Sequence, residues 1–266
     1  MTLEGNESQL QVNSTVERAL ILLEMVAIRG EGVSLAELVK EADLPKTTVF
    51  RLLETLKSRD YVQFDPNTEK YTIGLKSLEI GVFGLHKLPI VEVASRSMRE
   101  LSELTGETSF LATYSSGETV YLNKIEGSQS ISIRAELGMR RPVHCTAVGK
   151  AILSTFSKEE VDRILEEKGM AKYTDHTIVN PEEFHLELGR IRKAGYAVDN
   201  EEIEMGLTCY AVPIYNYTGR SVGTISLGGP TKRMVDNKAE LTCRLKEAAL
   251  QTSQRLGLVP GIRSIL

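Results

Sequence analysis

Between Pro45 and Arg59 the chain carries Lys46, Arg51, Lys57 and Arg59 against Glu54 alone. Lys46, Thr47, Thr48 and Arg51 stand at the front of this stretch, and amines, guanidiniums and hydroxyls so spaced are the groups that grip the phosphates and base edges of duplex DNA. Three other places hold residue types that do chemistry. His144 beside Cys145 sets a base next to a nucleophile, but neighbours in sequence rarely point at one another and no third orienting group can be named, so a buried structural thiol is expected. Gly149-Lys150 is followed by Ala151, without the hydroxyl that holds magnesium in a phosphate-binding loop. Asp199 to Glu204 gathers carboxylates without an intervening histidine, which predicts a solvated loop, with Asp199 as the exception to test for metal binding. No catalytic residue, metal or cofactor is expected from these residues.

The elements that must position the basic stretch follow from periodicity. Val16, Ala19, Leu20, Leu22, Leu23, Val26 and Ala27 recur at helical spacing from Ser14 to about Arg29, and Gly30 and Gly32 end the pattern. Ser34 stands three residues before Glu37, a capping box that opens a short helix from Leu35 to Ala42. Asp43-Leu44-Pro45 breaks it, and Pro45 suits the first turn of a third helix, since its φ is already helical and its missing N–H has no partner to lose there. Val49, Leu52, Leu53 and Leu56 form the buried side of that helix, leaving Lys46, Thr47, Thr48 and Arg51 exposed. Tyr61 to Phe64 and Tyr71 to Ile73 then read as two strands about an Asp65-Pro66-Asn67 turn.

Helix, short helix, tight turn, helix and hairpin in this order is a winged helix-turn-helix. Its third helix fits the DNA major groove by its N-terminal residues, and Lys70 in the wing reaches a flanking phosphate. The alternative is a helical protein-interaction module whose charges are merely solvated. Leu75, Leu78, Val82 and Leu85 follow a 3-4-3 spacing before Pro89, either the seam of a coiled-coil-like helix or a helix lying on its own domain. Because one recognition helix touches few base pairs, at least a dimer is expected.

Whole-chain properties set the limits. A chain of 266 residues, 41% hydrophobic and 26% charged, can bury two cores, and we expect a DNA-binding domain at 14–75, a linker helix at 76–88 and a second domain at 89–266. The net charge of −4 means that any DNA-binding surface is local. The polar lead Met1 to Asn13 lacks a secretory apolar region, and no apolar run approaches a bilayer span of about 20 residues, so a cytoplasmic location without membrane association is expected. Three cysteines without C-x-x-C spacing argue against disulfides and structural zinc.

The second domain mixes periods. Helices are expected at Val91 to Leu104, Ala147 to Phe156, Lys158 to Lys168, Pro181 to Ala194 and about Arg233 to Leu256. Strands are expected at Thr108 to Tyr114, Glu118 to Ile125, Ser130 to Arg134, Tyr196 to Asp199, Leu207 to Tyr215 and Val222 to Leu227, with Gly228-Gly229-Pro230 ending a strand in a turn. This is an α+β arrangement, a largely antiparallel sheet with helices on it and room for a pocket beside it.

The chain resembles the IclR family of bacterial transcription regulators from about Ser14 to Leu256. The strongest stretches run from Leu44 to Leu53, His144 to Ala151, Gly195 to Glu202, Gly206 to Cys209 and Ile225 to Pro230. The resemblance implies a GAF-like effector domain that binds a small organic, sugar or aromatic acid, and a tetramer built as a dimer of dimers. By motif position it implies that Ala147, Val148, Asp199, Leu207, Cys209, Ala211 and Ser226 line the effector pocket, with Ile131 and Ile133 as the opposite wall. In physical terms the first N–H groups of the helix at Ala147 would take a carboxylate, and Ser226 would add a hydroxyl donor. Gly228 and Val148 depart from the family's usual serine and smaller residue, which alters the donors and shape of that pocket, and Ile203 stands where the family often has a histidine.

The expectation is thus an effector-controlled regulator of transcription, a repressor of a catabolic operon, binding operator DNA and a small carboxylate. The alternatives are an activator of the same family and an enzyme acting on a carboxylic acid with an appended helical module. The missing catalytic constellation argues against the enzyme.

Overall fold

A computed structural model describes residues 13–29, 31–86, 89–129 and 135–258. The expected strand from Ser130 to Arg134, with Ile131 and Ile133, lies outside the described residues, as does Gly30. The chain forms two compact units that part between Leu85 and His86.

The first unit opens with α1 (Ser14–Ile28), begun by the Asn13 side chain, which accepts from the N–H groups of Thr15 and Val16. β1 (Val33–Ser34) leads into α2 (Leu35–Ala42), where the Ser34 and Glu37 capping box forms as its spacing predicts. α3 (Lys46–Ser58) follows, then β2 (Val62–Asp65), β3 (Lys70–Ile73) and α4 (Leu75–His86). Pro45 sits one residue earlier than expected. It is the N-cap of α3, at φ −56° and ψ 137°, so its ring fixes the turn into the helix instead of forming its first turn. The strands form an antiparallel sheet in the order β1-β3-β2, and the wing therefore has three strands, because Val33 and Ser34 pair with Tyr71 and Lys70. Leu22, Val26, Leu38, Val49, Leu53, Val62 and Tyr71 make the core under the sheet.

The second unit begins with α5 (Pro89–Thr105) and continues through β4 (Thr108–Ser115), β5 (Glu118–Ile125), β6 (Arg140–Pro142), α6 (Ala147–Leu153), α7 (Lys158–Lys168) and α8 (Pro181–Ala194). β7 (Ala197–Asn200), β8 (Leu207–Tyr215), β9 (Ser221–Pro230), α9 (Thr231–Asp236) and α10 (Lys238–Arg255) complete it. Its six strands are antiparallel in the order β6-β5-β4-β9-β8-β7.

Period-2 alternation sends each strand's residues to two different layers. Leu111, Tyr210, Val212, Ile214, Ile225 and Leu227 pack against α5 and α10. Ala112, Ala197, Cys209 and Ala211 face the other way, toward the layer of α6, α7 and α8. This is the α+β, GAF-like arrangement, with helices on both faces of one antiparallel sheet.

α6 stops at Leu153 where a helix to Phe156 was expected, β6 was not expected, and the end of β9 and the last helix differ from the sequence reading as well. Gly228, Gly229 and Pro230 continue β9 instead of turning out of it, since β9 is paired on both sides, with Gly228 opposite Thr108 and Cys209. The last helix is two helices, broken at Asn237. Asp and Asn side chains compete for backbone hydrogen bonds, and here the Asn237 amide donates to the Arg233 carbonyl at 3.1 Å.

Candidate functional site

On α3, Val49, Leu52 and Leu53 are buried and hold the helix to its unit, which turns the opposite stripe outward. Lys46, Thr47 and Arg51 are exposed on that stripe; Thr48, expected there too, is half-buried beside the apolar side. Phe50, which the sequence reading passed over, is 45% exposed among them. Glu54 pairs with Lys57 at 2.6 Å, so the helix's one carboxylate is already matched. Lys70 begins β3 where the turn of the wing ends, half-buried opposite Ser34 and Asp65. Asp65 faces Lys70 across the strand pair, and its carboxylate takes the Asn67 N–H at 2.9 Å and the Thr68 hydroxyl at 2.9 Å and is held below its usual range by those bonds.

In the second unit the predicted residues Asp199, Cys209, Ala211 and Ser226 share the α6 face of the sheet. One row across the strands runs Ala197, Ala211, Ser226 and Phe110; the next runs Asp199, Cys209, Gly228 and Thr108. Small side chains therefore floor the sheet beneath α6 on β8 and β9, with larger ones on β4 and β5. Tyr121, on β5, meets Phe110 edge-on with ring centroids 5.5 Å apart, and burial pushes its phenol well above the usual tyrosine range. Tyr121 and Phe110 escaped the sequence reading, although alternation along the strand from Glu118 to Ile125 would have aimed Tyr121 inward. Ser226 is buried, and its hydroxyl makes no hydrogen bond to a described residue. Leu207 begins β8 and is half-buried.

α6 closes over this floor. Thr146 caps it by accepting the Gly149 N–H at 3.2 Å, so one of the first-turn donors is already used. Gly149 is required by close approach, because a Cβ there would stand 2.2 Å from the Val143 carbonyl oxygen. Ala147 and Val148, on its first turn, are buried. Cys145 is fully buried, and desolvation raises its thiol to about 12, the inert state expected of it. Burial lowers the pKa of His144; its Nε2–H donates to the Ala171 carbonyl at 2.9 Å, which leaves it a structural donor.

The acidic stretch is not a solvated loop throughout. Asp199 is 2% exposed and Glu202 is 5% exposed. Burial lifts the Asp199 carboxyl to about 7, partly offset by the Glu202 N–H that it accepts at 2.8 Å. Glu202 forms an ion pair with Lys150 of α6, itself 1% exposed. Desolvation raises Glu202, and the lysine beside it pulls the other way. A lysine within the apolar run Ala147 to Leu153 was the signal, since a buried ammonium requires a carboxylate partner. Among the described residues no group of three or more His, Cys, Asp or Glu side chains is arranged to hold a metal. No described helix is long and apolar enough to cross a membrane.

Sequence comparison matches residues 15–66 to the IclR helix-turn-helix domain and residues 82–254 to the C-terminal domain of the bacterial transcriptional regulator IclR. The HTH-type transcriptional regulator KdgR of Dickeya chrysanthemi is 35% identical over 97% of this chain and 84% of its own. The HTH-type transcriptional repressor AllR of Escherichia coli K12 is 32% identical over 91% of this chain and 90% of its own. The crystal structure of the Thermotoga maritima IclR superposes with a TM-score of 0.75 at 32% identity, covering 92% of this chain and 99% of that one.

Proposed function

Because the chain belongs to the IclR family, a family of DNA-binding transcriptional regulators and not of enzymes, we propose that it represses a catabolic operon through α3 and is controlled by a small carboxylic acid bound beneath α6. In this reading residues 14–75 are the DNA-binding domain, 76–88 the linker helix and 89–266 the effector domain. Lys46, Thr47, Thr48 and Arg51 enter the major groove, and Lys70 takes a flanking phosphate. The observation that carries the DNA half is the outward stripe of α3, with Lys46 and Arg51 free of ion pairs among the described residues while Glu54 is paired. Asp65, opposite Lys70 on the neighbouring strand, makes Lys70 the weaker contact.

The effector half rests on the low floor of Ala197, Ala211, Cys209 and Ser226 under a helix that carries Ala147 and Val148. Ser226 and Tyr121 supply hydroxyl donors to a carboxylate, Leu207 and Cys209 an apolar edge, and Asp199 a carboxyl that changes charge near neutrality. Ile131 and Ile133 complete the wall in this reading.

The exposed apolar residues of the first unit support a dimer in this reading. Val16, Leu20 and Ile21 of α1 line an open groove with Asn13, Glu17 and Glu24, and Leu75, Leu78, Ile80 and Phe83 of α4 are exposed. Leu75 and Leu78 thus favour a seam with a second copy over a helix lying on its own unit. Two such dimers make the tetramer.

The test is thermal-shift screening of the full chain against keto, sugar and aromatic acids, followed by salt-dependent DNA binding with and without the acid that shifts it. At ~100 times its dissociation constant such an acid adds about 2.7 kcal/mol of stability. Binding of an acid that leaves DNA affinity unchanged at every salt concentration refutes the control mechanism.

A further inference from the structure

Most exposed apolar side chains of the first unit lie on α1 or α4, and Phe64 packs against Tyr71 at a tilt, with ring centroids 4.9 Å apart. Phe50 has neither explanation. It is 45% exposed, takes no part in the hydrophobic core of its unit, and stands on α3 four residues after Lys46 and directly before Arg51. A large ring held half in water, in the middle of a cationic stripe, suits a partner that is anionic overall and apolar at one point. The major groove of DNA has that composition. Its phosphates are negative, and the C5 methyl of thymine is the one apolar group on a base edge there, a group that phenylalanine contacts. Phe50 is at the fifth position of α3, within the N-terminal half that reaches base edges in a helix-turn-helix.

We propose that Phe50 is a specificity-determining residue that selects thymine in each half-site by covering its methyl group. The proposal rests on the reading of α3 as the DNA-entering helix. It adds that sequence is read partly by methyl contact, where Lys46 and Arg51 supply phosphate grip and polar base contacts.

The test uses the full chain and a pool of random duplexes from which the wild type selects its preferred site. Each thymine of that site is then replaced by deoxyuridine, which removes only the methyl, and affinity is measured for wild type, Phe50→Ala and Phe50→Leu. At one position per half-site the wild type should lose roughly 4-fold, the equivalent of ~0.8 kcal/mol for one buried methyl-sized group. Phe50→Leu should keep most of that response and Phe50→Ala should lose it, with both variants retaining salt-dependent binding to random duplex as the sign of an intact fold.

Selective binding by the wild type with no sensitivity to deoxyuridine at any thymine overturns the role of Phe50 and leaves the reading of α3 standing. The same holds if Phe50→Ala responds as the wild type does. A wild type that prefers no sequence overturns both.

Discussion

Asp199 is buried with its carboxyl at about 7, while the unfolded chain releases the same proton near 3.8. Between those values the unfolded state has lost a proton that the folded state still holds, so raising the pH through this window lowers stability, and above about 7 the deficit is constant. Asp199→Asn removes the titration while its amide oxygen still accepts the Glu202 N–H. The variant should gain on the order of 4 kcal/mol over the parent at pH 8, with the gain vanishing near pH 4, as read from urea midpoints at several pH values. A gap that does not change with pH rejects this account of Asp199. Lys150 and Glu202 follow different arithmetic. Removing the lysine alone strands a buried carboxylate, and Lys150→Met should cost about 3 to 5 kcal/mol. Lys150→Met with Glu202→Leu should recover most of that, because the pair's mutual attraction mainly offsets its own desolvation. Equal losses in the single and double variants would mean that packing, not charge, is what Lys150 provides.

Elements with one exposed face were legible in the sequence, and so was β8, although most of its residues are buried. α2 starts at its capping box, α7 and α8 run over the predicted residues, and β5 and β8 match residue for residue. Where both faces are covered, alternation disappears. β9 is buried from Gly223 through Gly229, so its glycines looked like a turn. Gly229 is there for close approach, since a Cβ would lie 2.6 Å from Glu107 Oε2 and 3.2 Å from the Arg233 guanidinium. That carboxylate and guanidinium form a two-pronged pair that ties the lead into β4 to α9. Gly229→Ala should therefore destabilise by about 1 to 3 kcal/mol through overpacking against this pair. In a Glu107→Ala background, where the clashing oxygens are gone, the same change should cost much less, a non-additivity that a double-mutant cycle of denaturation midpoints measures. Additive costs would place the strain elsewhere. The pocket residues were legible by resemblance only as positions; that Asp199 and Glu202 are buried, and that Tyr121 joins them on one face, depends on strand pairing between segments far apart in sequence.

At the scale of the whole molecule the question is what covers the apolar surface of the first unit. Leu20 is 52% exposed and Leu78 is 60% exposed, yet each occupies a helical position where a charged residue would serve a monomer better. If these faces join two copies, Leu78→Asp should shift the chain toward smaller assemblies in sedimentation at micromolar concentration, and Leu20→Asp should do the same. Neither change removes a buried contact within its own unit, so thermal unfolding of the second unit should be unmoved. The effect on DNA should be larger than the loss of any one contact. Two linked reading helices turn the second half-site encounter into an intramolecular event, which is worth roughly 100-fold or more in affinity when the spacing fits. Affinity for a duplex carrying two half-sites should accordingly fall by about that factor in Leu78→Asp, while affinity for a single half-site barely changes. A variant that remains fully assembled, or one that loses single and double half-sites alike, would put the assembly surface outside α1 and α4 and leave those leucines to some other partner.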